Sequence, residues 1–316
     1  MTFKKNLIAG AIAACIAPAA HAQIELGSGF SVTGFLDMSY FNLDIDTADG
    51  TEKSLGIDQF ETDLLFEGSN GISAQVDIEY GGTSTTPETW VEQAFVTKSF
   101  SDKFSVKAGR FLSYSGWETE EPTGLFQYSF VGYQPYFYGW YQQGLSAHYD
   151  FGTVELMASA VNGLFDPYDY NSDTEIELGI GISPGENFTA KLFVYEEEEN
   201  TFTNLWASFK AGPMTFAAEY VDRDFDVSGD GDGYLVMANF AKGFFGFTVR
   251  YAGYDLEDTL DDTTVGIDPL ETTSITLSPS FKIGDNLLIV TEYRMDEYDV
   301  GGIDNNTAAV EALFMF

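Results

Sequence analysis

Residues 57–67 read Ile-Asp-Gln-Phe-Glu-Thr-Asp-Leu-Leu-Phe-Glu, and the fold follows from their two-residue period. Phe60, Thr62, Leu64 and Phe66 share one side; Gln59, Glu61 and Asp63 share the other. Alternation of this kind belongs to a β-strand, whose successive side chains point to opposite faces. Ser69-Asn70-Gly71 follows as a tight-turn signal. Ile72, Ala74, Val76, Ile78 and Tyr80 then alternate with Ser73, Gln75, Asp77 and Glu79. The unit is a hairpin with one apolar face and one acidic face.

Working outward, the unit recurs. Ile176, Leu178, Ile180 and Ile182 lead through 184–187 to Phe188, Ala190, Leu192 and Val194, with Lys191, Phe193 and Tyr195 opposite. Ile275, Leu277 and Phe281 oppose Ser274, Thr276 and Lys282; Tyr293 and Met295 oppose Glu292, Arg294 and Asp296. Short turns are expected near 69–71, 101–103, 151–153, 184–187, 211–213, 242–246 and 284–286. Longer connections are expected near 44–57, 81–89, 113–139, 164–173, 196–201, 226–232, 257–270 and 298–305. Strict alternation of the two classes matches an outer-membrane barrel with short periplasmic turns and longer extracellular loops. The expected fold is all-β: a closed antiparallel transmembrane β-barrel of roughly sixteen strands. Closure is required because hydrocarbon offers no partner to an unpaired strand edge.

A soluble two-sheet sandwich would expose such a polar face equally well. It does not account for Tyr40, Phe60, Phe66, Tyr80, Phe95, Tyr149, Phe151, Phe188, Phe209, Tyr220, Phe247, Tyr251, Phe281 and Tyr293, which are read as aromatic girdles on the apolar face. The polar face carries Asp37, Glu61, Asp63, Asp77, Glu79, Glu177, Lys191, Lys210, Glu219, Arg250, Glu292 and Arg294.

Lys4 and Lys5, the apolar stretch Leu7 to Pro18 and Ala20-His21-Ala22 read as a secretory signal peptide over residues 1–22, leaving a barrel domain over 23–316. Ile12-Ala13-Ala14-Cys15 offers a rival lipoprotein cut, but the apolar run after it is a poor tether. Cutting after Ala22 removes Cys15, so no disulfide is expected. The formal net charge of −36 becomes −38 once Lys4 and Lys5 leave. So acidic a chain is a poor nucleic-acid binder. No cofactor and no metal site are expected, since zinc or thiol chemistry has almost no ligands here.

The final strand, Thr-Ala-Ala-Val-Glu-Ala-Leu-Phe-Met-Phe, sets Ala308, Val310, Ala312, Phe314 and Phe316 on one face. Phe314 and Phe316 are read as a signal for the barrel assembly machinery.

Residues 89–152 hold Glu92, Ala94, Ala108-Gly109-Arg110-Phe111, Gly116-Trp117-Glu118, Gln127-Tyr128-Ser129, Pro135, Gly144 and Tyr149. This run resembles the OmpL-like group of β-barrel porins, in which a long loop joins two strands carrying such a pattern. It departs at Gln127, where asparagine is the norm, and in its few basic residues. The resemblance implies an outer-membrane channel and no particular substrate. A homotrimer is expected from chain size and from what porins do; outer-membrane lipids and small solutes or ions are the other expected partners.

The connection 113–139 is long enough to be functional. It is expected to fold inward as a pore-constricting loop, with Glu118, Glu120 and Glu121 facing Arg110, Arg250 or Arg294; packing over a rim or a trimer contact is the alternative. Lumen-lining candidates are Asp37, Glu61, Asp63, Asp77, Glu79, Arg250, Glu292 and Arg294. Fixed carboxylates favour cations, so the expected function is a passive, cation-preferring porin for small hydrophilic solutes and not an enzyme. Two other readings stand beside it. Ser146 and His148 share a strand face, as in a phospholipase-like barrel hydrolase, though no third group is evident. A non-channel structural barrel is the other. Asp226 to Gly233 resembles part of a calcium loop but lacks the closing glutamate, and reads as a solvated turn.

Overall fold

The computed structural model describes residues 23–45, 51–83, 86–118, 120–163, 174–197, 200–224, 229–257, 271–298 and 303–316. The expected signal peptide therefore lies outside the described residues, as do the connection 164–173 and most of 257–270. Sixteen strands form the ring: β2 (Phe30–Ile45), β3 (Thr51–Glu67), β4 (Ile72–Thr83), β5 (Thr86–Ser99), β6 (Phe104–Leu112), β7 (Tyr141–Asp150), β8 (Val154–Asn162), β9 (Thr174–Ile182), β10 (Phe188–Glu197), β11 (Asn200–Ala211), β12 (Met214–Asp224), β13 (Gly231–Lys242), β14 (Phe245–Leu256), β15 (Thr272–Ile283), β16 (Leu287–Tyr298) and β17 (Ile303–Met315). A short β1 (Ile24–Gly27) folds back on the start of β2.

Every consecutive pair from β2 to β17 is antiparallel, and β17 pairs β2 from Asn305↔Ile45 to Met315↔Phe35. The sheet is thus closed. The backbone N–H of Phe316 donates to Gly34 O at 2.9 Å, and Gly34 N donates back at 3.0 Å, carrying the seam one pair further. A Cβ on Gly34 would lie 2.2 Å from Glu61 O and 2.8 Å from the Phe316 ring, so this junction admits only glycine.

The tight turns fall where expected. Asn70 (φ 59°) and Gly71 (φ 68°) are both left-handed, the geometry a two-residue hairpin needs to follow strand twist. Two of the opposite connections are shorter than expected, whereas β6 ends at Leu112 and β7 begins at Tyr141, so the long connection near 113–139 stands. β3 already begins at Thr51, and β4 and β5 run on to Thr83 and from Thr86, so much of 44–57 and 81–89 is strand. The ladder outlives the apolar alternation: in water a polar strand keeps its hydrogen bonds without a greasy face. β2, at 16 residues, exceeds the roughly 9–11 that cross a bilayer.

The two faces are chemically opposite. Leu205, Phe209, Phe216, Tyr220, Val236, Ile275, Tyr293, Val310 and Phe314 are exposed on the outside. Ser208, Asn239, Thr248, Ser274, Thr276 and Ser278 are buried on the inside. Polar groups inside and apolar groups outside invert the order of a soluble protein. Among the described residues no helix is long and apolar enough to cross a membrane.

Within the ring, two bulges break the alternation. Asp37 pairs Gln59 while Met38 pairs Ile57, so Asp58 is extra in β3. Asp77 pairs Gln93 while Ile78 pairs Val91, so Glu92 is extra in β5. A one-residue insertion reverses every later side chain. Phe95 is consequently inside, 4.5 Å from the Lys107 ammonium, and not in the outer girdle where the uninterrupted period puts it.

Candidate functional site in the barrel lumen

The chain between β6 and β7 holds a short 3-10 turn at Pro122–Gly124 and one helical turn, α1 (Gln134–Phe137). Its backbone groups cannot all pair locally, and the wall supplies the missing partners. Ser113 and Tyr114 donate to Glu177 on β9 at 2.6 and 3.1 Å. Trp117 N donates to Glu219 on β12 at 2.7 Å. Thr248 on β14 donates to Phe126 O at 2.7 Å. Ser129 N donates to Glu292 on β16 at 3.0 Å, and the Tyr128 and Ser39 hydroxyls (β2) are 3.0 Å apart. A segment that touches strands all round a closed ring lies inside it.

Its aromatic side chains pack on one half of the wall. Trp117, Phe126, Tyr133, Phe137 and Tyr138 form one buried cluster with the wall residues Phe111, Phe193, Tyr195, Phe202, Trp206, Leu235 and Met237. Inside this packing Glu219 accepts hydrogen bonds from Tyr133 OH at 2.6 Å, Asn204 Nδ2 at 2.7 Å and Tyr138 OH. The two tyrosine hydroxyls are held well above their ordinary pKa by burial first and by the facing Glu219 carboxylate second.

Arg250 and Glu118 pin the segment. Arg250 Nη1 lies 2.6 Å from Glu118 Oε1, with the two side chains 0% and 2% exposed. Glu118 also accepts from Gln127 Nε2 at 2.8 Å and Val131 N at 2.6 Å. Arg250 donates further to Ser129 O at 2.8 Å and Ser129 Oγ at 2.9 Å. Arg294 Nη1 donates to Phe130 O at 2.8 Å and its Nε to Asp296 at 2.7 Å. Glu118 thus faces Arg250, one of the three arginines expected opposite it, and the pair is closed off from solvent. Glu292 on the wall meets the segment through Ser129 N.

The other half of the wall, β2 to β6, is acidic. Glu61, Asp77, Glu79 and Glu92 point inward and are buried, and Asp63 is half-buried beside them. Glu120 and Glu121 join them from the segment. Gln134 Nε2 donates to Glu120 at 2.6 Å; Gln59 Nε2 and Tyr141 OH donate to Glu121, each at 3.3 Å. Burial, then the nearby Glu92 charge, pushes Glu120 up to about 7; the same two causes hold Glu121 well above the usual carboxylate range. Arg110 Nε donates to Glu92 O at 2.7 Å, and its guanidinium lies 5.5 Å from the Tyr141 ring. Asp37 faces inward nearer β17. Thr33, Asp63, Gln75, Gln93 and Thr97 are only half-buried, so the water-accessible side of the lumen is here.

Glu92 and Asp58 were not among the expected lumen residues, because each is the extra residue of a bulge. The signal was present as a break in alternation. Ser146 and His148 are not joined: Ser146 Oγ meets Tyr114 OH at 2.9 Å and Ser159 Oγ at 3.2 Å, whereas His148 Nε2 meets Glu155 at 3.1 Å. Of the calcium-loop fragment, 226–228 lie outside the described residues, and Asp232 sits in the β12–β13 ladder opposite Asp222.

Residues 9–301 match the family model described as Gram-negative porin. The chain belongs to that family. No curated protein matches the sequence. Among solved structures, an anion-selective porin from Comamonas acidovorans superposes with a TM-score of 0.68 at 15% identity, covering 91% of this chain and 99% of that one. A loop L8 deletion mutant of OmpT, an outer membrane protein of Vibrio cholerae, gives 0.66 at 13% identity, over 91% and 99%. A mutant of the Rh. blastica porin gives 0.64 at 14% identity, over 91% and 100%. At these identities the likeness shows the fold. Family and fold together place this porin in the outer membrane.

Proposed function

We propose that this porin is a passive diffusion channel that prefers cations, and that its path runs between the β2–β6 wall and the inward segment 113–139. The observation that carries the reading is the asymmetric lumen. One half is closed by apolar packing, and the other is lined by Glu61, Asp63, Asp77, Glu79, Glu92, Glu120 and Glu121 with Arg110 and Lys107 as the nearby bases. A narrow, low-dielectric passage with fixed negative charge concentrates cations and repels anions. Arg250 and Arg294 do not offset that charge in the path, because both are tied to the segment.

The Comamonas porin carries the opposite description, anion-selective, so the shared fold leaves selectivity to the wall residues. An enzymatic role finds no support in the geometry of Ser146 and His148. A homotrimer fits the family; one solved Vibrio cholerae OmpT structure, 12% identical over 91% of this chain, is described as a trimer form. The outward apolar belt suits outer-membrane lipids, and Phe314 and Phe316 remain the proposed signal for the assembly machinery.

Planar-bilayer recording of the refolded protein under a KCl gradient tests the reading. Stepwise conductance with a reversal potential of cation sign is expected. An anion sign would refute the preference. Absence of any conductance would favour a structural barrel plugged by the same segment, a reading that its extensive apolar packing supports.

A further inference from the structure

Two pairs of like charges sit directly opposite each other on β3 and β4: Glu61 faces Glu79, and Asp63 faces Asp77. Such pairs destabilise a sheet unless something neutralises them. The bulge in β5 adds Glu92 to the same place, and the inward segment adds Glu121. The result is two overlapping carboxylate triads, Glu61–Asp63–Asp77 and Glu61–Glu92–Glu121, in each of which the oxygens lie within 4.8 Å of one another.

The carboxylates are also aimed. Thr33 Oγ1 donates to Asp63 Oδ2 at 2.9 Å, and Gln75 and Gln93 donate to Asp77 Oδ2 at 2.9 and 2.7 Å. The second oxygen of each, Oδ1, has no hydrogen-bond partner. Glu61 Oε2 and Glu92 Oε2 are equally unpartnered, though Glu61, Asp77 and Glu92 are only 4%, 1% and 3% exposed. Buried carboxylate oxygens without donors are costly, and donors that fix one oxygen while leaving the other bare are how proteins orient metal ligands.

We propose that this cluster is a binding site for a hard divalent cation of calcium size, with Glu61 as the ligand common to both triads. Calcium binds oxygens at roughly 2.3–2.6 Å, so opposed ligands of one ion are roughly 4.6–5.2 Å apart, a span that contains the triads. Carboxylates without cysteine or histidine select calcium or magnesium over zinc or copper. The bound ion lies on the water-accessible side of the lumen. Held by Glu61, Glu92 and Glu121 it ties β3 and β5 to the inward segment, held by Glu61, Asp63 and Asp77 it ties β3 to β4, and in either place it narrows the path while occupied.

The inference stands apart from the channel reading, because binding is measured without current. Terbium, a luminescent stand-in for calcium, is titrated into refolded protein with tyrosine excitation; Tyr141 OH lies 3.3 Å from Glu121 and serves as the antenna. A saturable signal that CaCl2 displaces is expected. Glu61→Gln weakens it at least tenfold, Asp77→Asn weakens it less, and Asp222→Asn, on the opposite wall, leaves it unchanged. Folding of each variant is checked by its β-sheet circular dichroism and heat-dependent electrophoretic shift. No saturable signal, or equal binding by folded Glu61→Gln and Asp77→Asn variants and the wild type, overturns the site. Binding without conductance would sink the channel and keep the site; conductance without binding would do the reverse.

Discussion

Replacing Glu118 by Gln removes one charge from the most enclosed ion pair of this porin. The Arg250 guanidinium, fully buried 2.6 Å from Glu118, would keep its charge and lose its nearest counter-ion, leaving only the more distant Glu292 charge. Its bonds to Ser129 and Thr276 are to neutral oxygens and do not replace a carboxylate. Breaking a buried pair from one side costs about 3–5 kcal/mol. The barrel ladder does not depend on this pair, but the seating of residues 118–131 does. At about 1.4 kcal/mol per factor of ten, the detached form should gain on the order of a hundred- to a thousandfold or more. The segment holds no lysine or arginine but many aromatics, so chymotrypsin is the suitable probe. Glu118→Gln is expected to be cut between 113 and 139 at least a hundredfold faster than the wild type, with the barrel intact, and to show noisier open-channel current. Glu118→Leu with Arg250→Met should regain much of the resistance, since an apolar replacement of both partners leaves no orphan charge. Equal cleavage of Glu118→Gln and the wild type would refute the claim that this pair pins the segment.

Cation conductance should rise between pH 5 and pH 8. Glu120, pushed up to about 7 by burial and by Glu92, is neutral on the acid side and charged on the alkaline side. Glu120→Gln should flatten that profile in bilayer recordings. Gly109→Ala should destabilise the barrel by about 1–3 kcal/mol, read as a lower temperature for the electrophoretic shift; φ is 137° there, and a Cβ would lie 2.2 Å from Ala94 O. Phe314→Ala with Phe316→Ala should lower the amount of folded protein in the outer membrane. It removes the ring contacts of Phe316 with Phe60 and Phe314 at 6.4 and 6.3 Å; unchanged levels would argue against the assembly role.

The barrel was legible wherever alternation ran unbroken. The pattern around Phe60–Phe66 and Ile72–Tyr80, with Asn70-Gly71 between, specifies strand, turn and face together. It failed at Phe95, since a single inserted Glu92 reverses the face and composition carries no mark of which residue is extra. The likeness around Ala108 to Phe111 and Gly116 to Glu118 pointed to the segment that matters. It did not say that Glu118 would be used up by Arg250, because Arg110, Arg250 and Arg294 are equivalent until the segment's path is known. Nor does spacing along the chain reveal that Glu61, Glu92 and Glu121 meet: they are brought together by the β3–β4–β5 meander, the bulge in β5 and the inward path of the segment.

Only the acidic side of the lumen is open to water. Single cysteines at Asp63 and at Asn204, treated with a cationic methanethiosulfonate during bilayer recording, test this directly; Asp63 is half-buried on the acidic wall and Asn204 is fully buried against Glu219. The Asp63→Cys channel should lose cation current on treatment, and the Asn204→Cys channel should not respond. Reaction at Asn204→Cys with none at Asp63→Cys would place the path on the wrong side and contradict the structure's central assignment.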